Sequence, residues 1–163
     1  RTEESGVKRR IPVRSAVKWA IIAFLVLSFV APVYAKDVKV AVPKEHGVYI
    51  KTKDSIKRLL PNVVYEYEGV FAVEPNNPPK FLLKNIEYFV FVGDFQMEVL
   101  TYNALLFFGA SPVGKTRYMF GKDIPIEGKE EAGKFYVVKP KELFGRGYFA
   151  LWINDTAWDF LIE

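Results

Sequence analysis

The chain contains no cysteine and only one histidine, His46, among its 163 residues. Absence of cysteine excludes a disulfide framework and any thiolate metal site. With one imidazole, a zinc site would need carboxylate or water for every other ligand, which is an unusual set. A histidine-dependent nucleophilic triad would have to use His46, which sits between Glu45 and Gly47 in a turn-prone stretch, and no G-x-S-x-G elbow accompanies it. The simplest reading of His46 is a solvated turn residue. The body of the chain also lacks a charge excess. Six of the 23 basic and two of the 19 acidic residues lie in residues 1–35, leaving 17 of each sign in residues 36–163. Nucleic-acid binders concentrate positive charge on the folded part, because affinity comes from neutralising phosphates. That class is disfavoured.

What is present begins with a bipartite N-terminus. A basic stretch (Arg1, Lys8, Arg9, Arg10, Arg14, Lys18) precedes an apolar run from Trp19 to Ala35, with Val33 and Ala35 at the −3 and −1 positions of a signal-peptidase pattern. The same run is at the short edge of what a helix needs to cross a bilayer, so a cleaved signal and a retained anchor both stand. Either way the basic end stays in the cytoplasm and residues 36–163 are expected outside it. The expected division is therefore 1–35, a hydrophobic helix serving as signal peptide or transmembrane anchor, and 36–163, an exported domain. At this size a domain buries roughly two-thirds of the surface its unfolded chain exposes.

From Lys36 on, Pro and Gly punctuate the chain at short intervals, and no strongly periodic helical stretch with caps is found. Short apolar or alternating runs bounded by such residues predict strands. They fall at 38–42, 48–51, 63–67, 70–73, 81–84, 88–92, 117–120, 124–126, 135–138, 148–153 and 158–162. Gly69 marks a hairpin or bulge between two of them, and Pro75-Asn-Asn-Pro-Pro79 a loop. Residues 97–108 fit a helical stripe (Met97, Leu100, Ala104, Leu105, Phe108) and also a buried strand, which is preferred. Gly128-Lys-Glu-Glu-Ala-Gly133 reads as a solvated loop. About ten short strands predict an all-β domain, an antiparallel sandwich or small barrel.

One motif invites a nucleotide. Gly109-Ala-Ser-Pro-Val-Gly114-Lys115-Thr116 matches G-x-x-x-x-G-K-[ST] at every fixed position. Phosphate binding there needs a helix beginning inside the motif, whose N-terminus supplies positive potential. Thr116 is succeeded instead by Arg117-Tyr-Met-Phe120 and then by Gly121, Pro125 and Gly128, which leave no room for one. The segment is expected to be a hairpin connection with Lys115 in solvent, and no nucleotide or other cofactor is expected.

Asn154, Asp155 and Asp159 form an oxygen-rich stretch between the last two strands. Calcium favours such ligands, but three side chains do not complete a shell of six to eight; a hairpin turn is the simpler reading. Asp94 and Glu98 are available as an acid and base with no partner in view. The 26 aromatic residues are expected mainly in the core and in cross-strand pairs, each pair contributing about 0.5–1.5 kcal/mol beyond burial.

Gly47-Val-Tyr-Ile50, Glu87-Tyr-Phe-Val90, Phe135-Tyr-Val-Val-Lys-Pro140, Gly147-Tyr-Phe-Ala-Leu151 and Trp158-Asp-Phe160 together loosely resemble a pattern in small exported β-domain proteins of uncharacterised function. The resemblance implies a compact β-domain and carries no site. The expected function is non-enzymatic: a binding or structural module, such as an accessory subunit of a cell-envelope assembly. Its partners would be the membrane, through residues 1–35, and another protein or further copies of itself. The alternative is a calcium-assisted, lectin-like carbohydrate-binding domain using Asn154, Asp155 and Asp159.

Overall fold

The computed structural model describes residues 42–131, 135–142 and 145–163, all within the compact unit Val40–Glu163. The expected N-terminal helix, the cleavage positions Val33 and Ala35, and nearly all of the expected strand at 38–42 lie outside the described residues. The strands are β1 (Gly47–Thr52), β2 (Ile56–Leu59), β3 (Asn62–Val63), β4 (Tyr65–Tyr67), β5 (Val70–Val73), β6 (Lys80–Phe81), β7 (Ile86–Val92), β8 (Thr101–Ala110), β9 (Thr116–Asp123), β10 (Ile126–Glu131), β11 (Phe135–Pro140), β12 (Gly147–Ile153) and β13 (Thr156–Ile162). Among the described residues, two single 3-10 turns, Leu83–Asn85 and Met97–Val99, complete the regular structure. Among the described residues no helix is long and apolar enough to cross a membrane.

The domain is all-β, as expected, with two antiparallel sheets. One has five strands in the order β10-β11-β7-β1-β2; the other runs β3-β13-β12-β8-β9-β5-β4, with β6 added in parallel to one end of β13. Only Val64 separates β3 from β4, yet β3 pairs with β13 at one edge and β4 with β5 at the other. The chain thus ties the two edges together and curls the larger sheet almost into a barrel.

Period-two alternation distributes side chains between two cores. Phe149, Leu151 and Ile153 of β12 and Trp158, Phe160 and Ile162 of β13 join Val48, Ile50, Phe89, Phe91 and Val138 from the five-stranded sheet in one cluster. Its rings meet edge-on, tilted and stacked, with Phe89 tilted at 5.4 Å from Tyr102 and 5.5 Å from Phe160, and Tyr102 stacked on Phe160 at 12°. The intervening positions Ala150 and Ala157 turn the other way, where they pack with Val64, Val73 and Leu105. Strands from across the larger sheet contribute to that second cluster, so it fills the concave side of the curl.

Five expectations need correction. The 63–67 run is broken at Val64 into β3 and β4, which pair at opposite edges, and 124–126 is strand only from Ile126, because Pro125 interrupts it. Residues 128–131 belong to β10, not to a loop, because an edge strand needs only one ladder partner and tolerates charge on its outer side. The 81–84 run is a strand only at Lys80–Phe81 and then enters a 3-10 turn. In 97–108 the preferred strand begins at Thr101, after the 3-10 turn at Met97–Val99. β2, Ile56-Lys-Arg-Leu59, went unforeseen because its middle is charged.

Candidate functional site

Two open concavities adjoin where the β10–β11 hairpin meets the loop after β7. One, of about 580 Å³, is lined by Lys44, His46, Val92, Gly93, Asp94, Phe95, Glu130 and Tyr136. A second, of about 400 Å³, is lined by Met97, Glu98, Leu100, Ile126, Gly128, Glu130, Tyr136 and Val138. They adjoin at Glu130 and Tyr136. Alternation explains the wall: Ile126, Gly128 and Glu130 are the inward positions of β10, and Tyr136 and Val138 those of β11. Gly128 leaves the wall hollow, since a Cβ there would have only Val138 nearby, at 3.9 Å.

The polar end is held by packing. The His46 ring stacks on Phe95 at 4.9 Å and 23°, and Phe95 stands edge-on to Phe91 and Trp158 of the core. Gly93, at φ +119°, lies so close beneath His46 that a Cβ would sit 1.9 Å from its ring. From the other side Arg58 donates to the His46 carbonyl at 2.9 Å and approaches Glu45 at 3.4 Å. His46 is an exposed bend residue, as expected, but its ring is docked. Asp94 and Glu98 both reach the groove, in different halves of it. The groove combines an apolar floor (Met97, Leu100, Ile126, Val138) with a rim of three carboxylates, Asp94, Glu98 and Glu130, against Lys44 and His46.

The residues weighed for calcium occupy two environments. Asn154 (φ +53°) and Asp155 form the two-residue turn between β12 and β13; the Asn154 amide donates to Gln96 at 2.7 Å, and Thr156 donates to Asp155 at 3.1 Å. Asp159 lies in β13, buried on the concave side, and accepts a 3.4 Å hydrogen bond from Asn62. Four residues along an extended chain are roughly 13 Å. Burial raises the Asp159 carboxyl above its ordinary value, with the Asn62 contact opposing; burial and then the Asp159 charge raise the nearby Tyr148 phenol. Among the described residues, no group of three or more His, Cys, Asp or Glu side chains is placed to hold a metal ion.

The P-loop-like segment closes the β8–β9 hairpin. The Ser111 amide donates to the Lys115 carbonyl at 2.7 Å and the Gly114 amide to the Ser111 carbonyl at 2.8 Å, with Gly109 and Gly114 at φ +94° and +78°. The motif leads into a strand, not a helix, and Lys115 is exposed. Arg117, unremarked in the sequence, is a buried polar residue beside the turn of that hairpin: its guanidinium lies 3.7 Å from the Tyr67 ring centroid and its Nε donates to the Tyr65 hydroxyl at 2.9 Å, which in turn donates to Glu74 at 2.9 Å. No local pattern announces this chain of contacts, because its members come from β4, the end of β5 and β9.

Comparison of the chain with family models, with curated proteins and with solved structures returned no match. The site is therefore read from its geometry: an all-β domain with an open groove beside a sheet edge that is free among the described residues.

Proposed function

We propose that the domain is a non-enzymatic binding module, held at or delivered past the cytoplasmic membrane by residues 1–35, and that it takes an extended segment of a protein partner into the groove beside β10. The observation that carries this reading is the coincidence of a strand edge, unpaired among the described residues, with an open, mixed-character hollow directly under it. An added strand would pair its backbone with β10, while side chains on one face reach the apolar floor; backbone pairing gives affinity and the pockets give specificity. The acidic rim favours a cationic segment. Envelope assemblies, in which an accessory subunit grips a neighbour's terminal arm, have this requirement.

The test is extraction of the full chain in mild detergent followed by sizing. The wild type is expected to elute with a partner or as an oligomer. Gly128→Trp, which fills the hollow, is expected to elute alone with an unchanged melting temperature. A monodisperse wild-type monomer with nothing co-purifying would count against the reading.

A further inference from the structure

The β8–β9 hairpin is used neither by the groove nor by the proposed strand addition, and it carries three of the exposed large apolar side chains among the described residues. β12 pairs with β8 only over Thr101–Ala104, and β5 pairs with β9 only at Tyr118 and Met119. Among the described residues, the hairpin from Leu105 to Arg117 has no ladder partner but itself; Phe108 and Arg117 pack on Tyr67 of β4, and the turn residues 112–115 are exposed. Leu106, Phe107 and Val113 are 48%, 70% and 78% exposed. Leu106 and Phe107 are consecutive strand residues and point to opposite faces, and Val113 caps the turn. Exposed apolar side chains therefore lie on both faces of the hairpin and at its turn. The turn carries no carboxylate and one exposed cation, Lys115, while Arg117 beside it is buried against Tyr65 and Tyr67 and lies 3.9 Å from Glu74.

We propose that this tip is a membrane-contact element that enters the interfacial layer of a bilayer, with Leu106, Phe107 and Val113 among the acyl chains and Lys115 at the level of anionic headgroups. A protein partner typically covers one face of a hairpin, whereas a bilayer surrounds it; an apolar tip wrapped on both faces matches the second. Shallow entry is compatible with the backbone, because the turn satisfies its own groups through Ser111, Gly114 and Lys115. Lys115 can extend back to the phosphates along its apolar stem, and each cation near an anionic surface adds to the attraction. The glycines and lysine that mimic a phosphate-binding loop then serve a turn and a headgroup contact.

Residues 19–35 are expected to bind bilayers by themselves, so the test must be local. The absence of cysteine makes it direct: Val113→Cys, labelled with an environment-sensitive fluorophore, is reconstituted as the full chain into phosphatidylcholine vesicles with and without phosphatidylglycerol. The emission is expected to shift to the blue and to be quenched by lipids spin-labelled near the headgroup, more strongly with phosphatidylglycerol. A label at Glu127→Cys on β10 is expected to remain water-like. Changing Leu106 and Phe107 together to Ser is expected to abolish the shift at position 113 without altering circular dichroism or melting. A label at 113 that stays water-like in vesicles would overturn the proposal. So would an equal shift in the same chain held in a lipid-free amphipathic polymer, which would assign the tip to a protein contact.

Discussion

Two hairpins of this domain leave the same core with opposite surfaces. β10, the edge strand of the β10–β11 hairpin, carries Glu127, Lys129 and Glu131 outward and Glu130 at the groove. The β8–β9 hairpin leaves Leu106, Phe107 and Val113 exposed, with a single cation, Lys115, at its turn. Charge on a sheet edge discourages indiscriminate strand pairing while leaving a partner of the complementary sign favoured. Exposed apolar side chains at a tip have the reverse effect: they weaken discrimination by charge and reward any apolar surroundings. One hairpin is therefore suited to selecting a polypeptide, and the other to entering a phase.

The sharpest contrast lies between neighbours in β8. Leu105 is buried on the concave side of the larger sheet, whereas Leu106 is half exposed. Leu105→Ala is expected to destabilise by about 3 kcal/mol, through lost burial and the cavity left behind. Leu106→Ser is expected to stay within about 0.5 kcal/mol. Urea denaturation with an unchanged slope measures both; similar losses at the two positions would mean that the tip is part of the fold and not a projection from it.

Glycines sharpen the comparison further. Gly93 under the groove and Gly109 in the apolar hairpin both have φ in the left-handed region, but only Gly93 is crowded, by the His46 ring; a Cβ at Gly109 would have nothing within 4 Å. Gly109→Ala should cost about 1 kcal/mol of backbone strain, and Gly93→Ala about 2 kcal/mol, because it also expels the ring. Thermal melts give the difference. The proton spectrum of His46 reports whether its stack on Phe95 is lost in Gly93→Ala, as expected, and retained in Gly109→Ala.

The two hairpins also show what was legible in the residues. The connections at Gly69, at Asn154–Asp155 and at Gly109–Thr116 were readable because turn chemistry is local and each lies between runs of strand-forming residues. β10 and β2 were not, since Gly-Lys-Glu-Glu and Lys-Arg carry no apolar alternation; they are strands because a neighbour offers them a ladder. The groove was invisible for a related reason. Its wall comes from 44–46, 92–100, 126–130 and 136–138, brought together only when Val92 pairs with both Gly47 and Phe135. The alternation of Ile126, Gly128 and Glu130 was the available signal, and it became meaningful only once β10 was known to be a strand. Arg117 was hidden likewise, its tyrosines lying about fifty residues away along the chain.

Charge tolerated at an edge can be set against charge buried in the larger sheet, where Asp159 faces the concave side. Burial holds its folded-state carboxyl above the unfolded value. As pH rises from about 4, the unfolded chain loses this proton first, so the folded state binds more protons until its own raised value is passed. Stability from this group is thus present at low pH, is lost through that window and stays lost above it. Asp159→Asn keeps an oxygen to accept from Asn62 and is expected to flatten that stretch of a pH–melting profile and to melt higher at neutral pH. An unchanged profile would show that the carboxylate is compensated more fully than the Asn62 contact implies.

The smallest effect is expected on β10 itself. Lys129 lies 2.8 Å from Glu131, with side chains 76% and 36% exposed, and an exposed pair of this kind contributes about 0–1 kcal/mol and less as salt is added. Lys129→Ala should therefore barely move the denaturation midpoint. It does raise the negative charge of the edge. If β10 receives a cationic segment, the same substitution should tighten partner retention at low ionic strength, with the gain vanishing as salt screens it. A substitution neutral for folding but salt-dependent for association would separate the two roles of charge on this strand; a change in stability with none in association would return β10 to a merely protected edge.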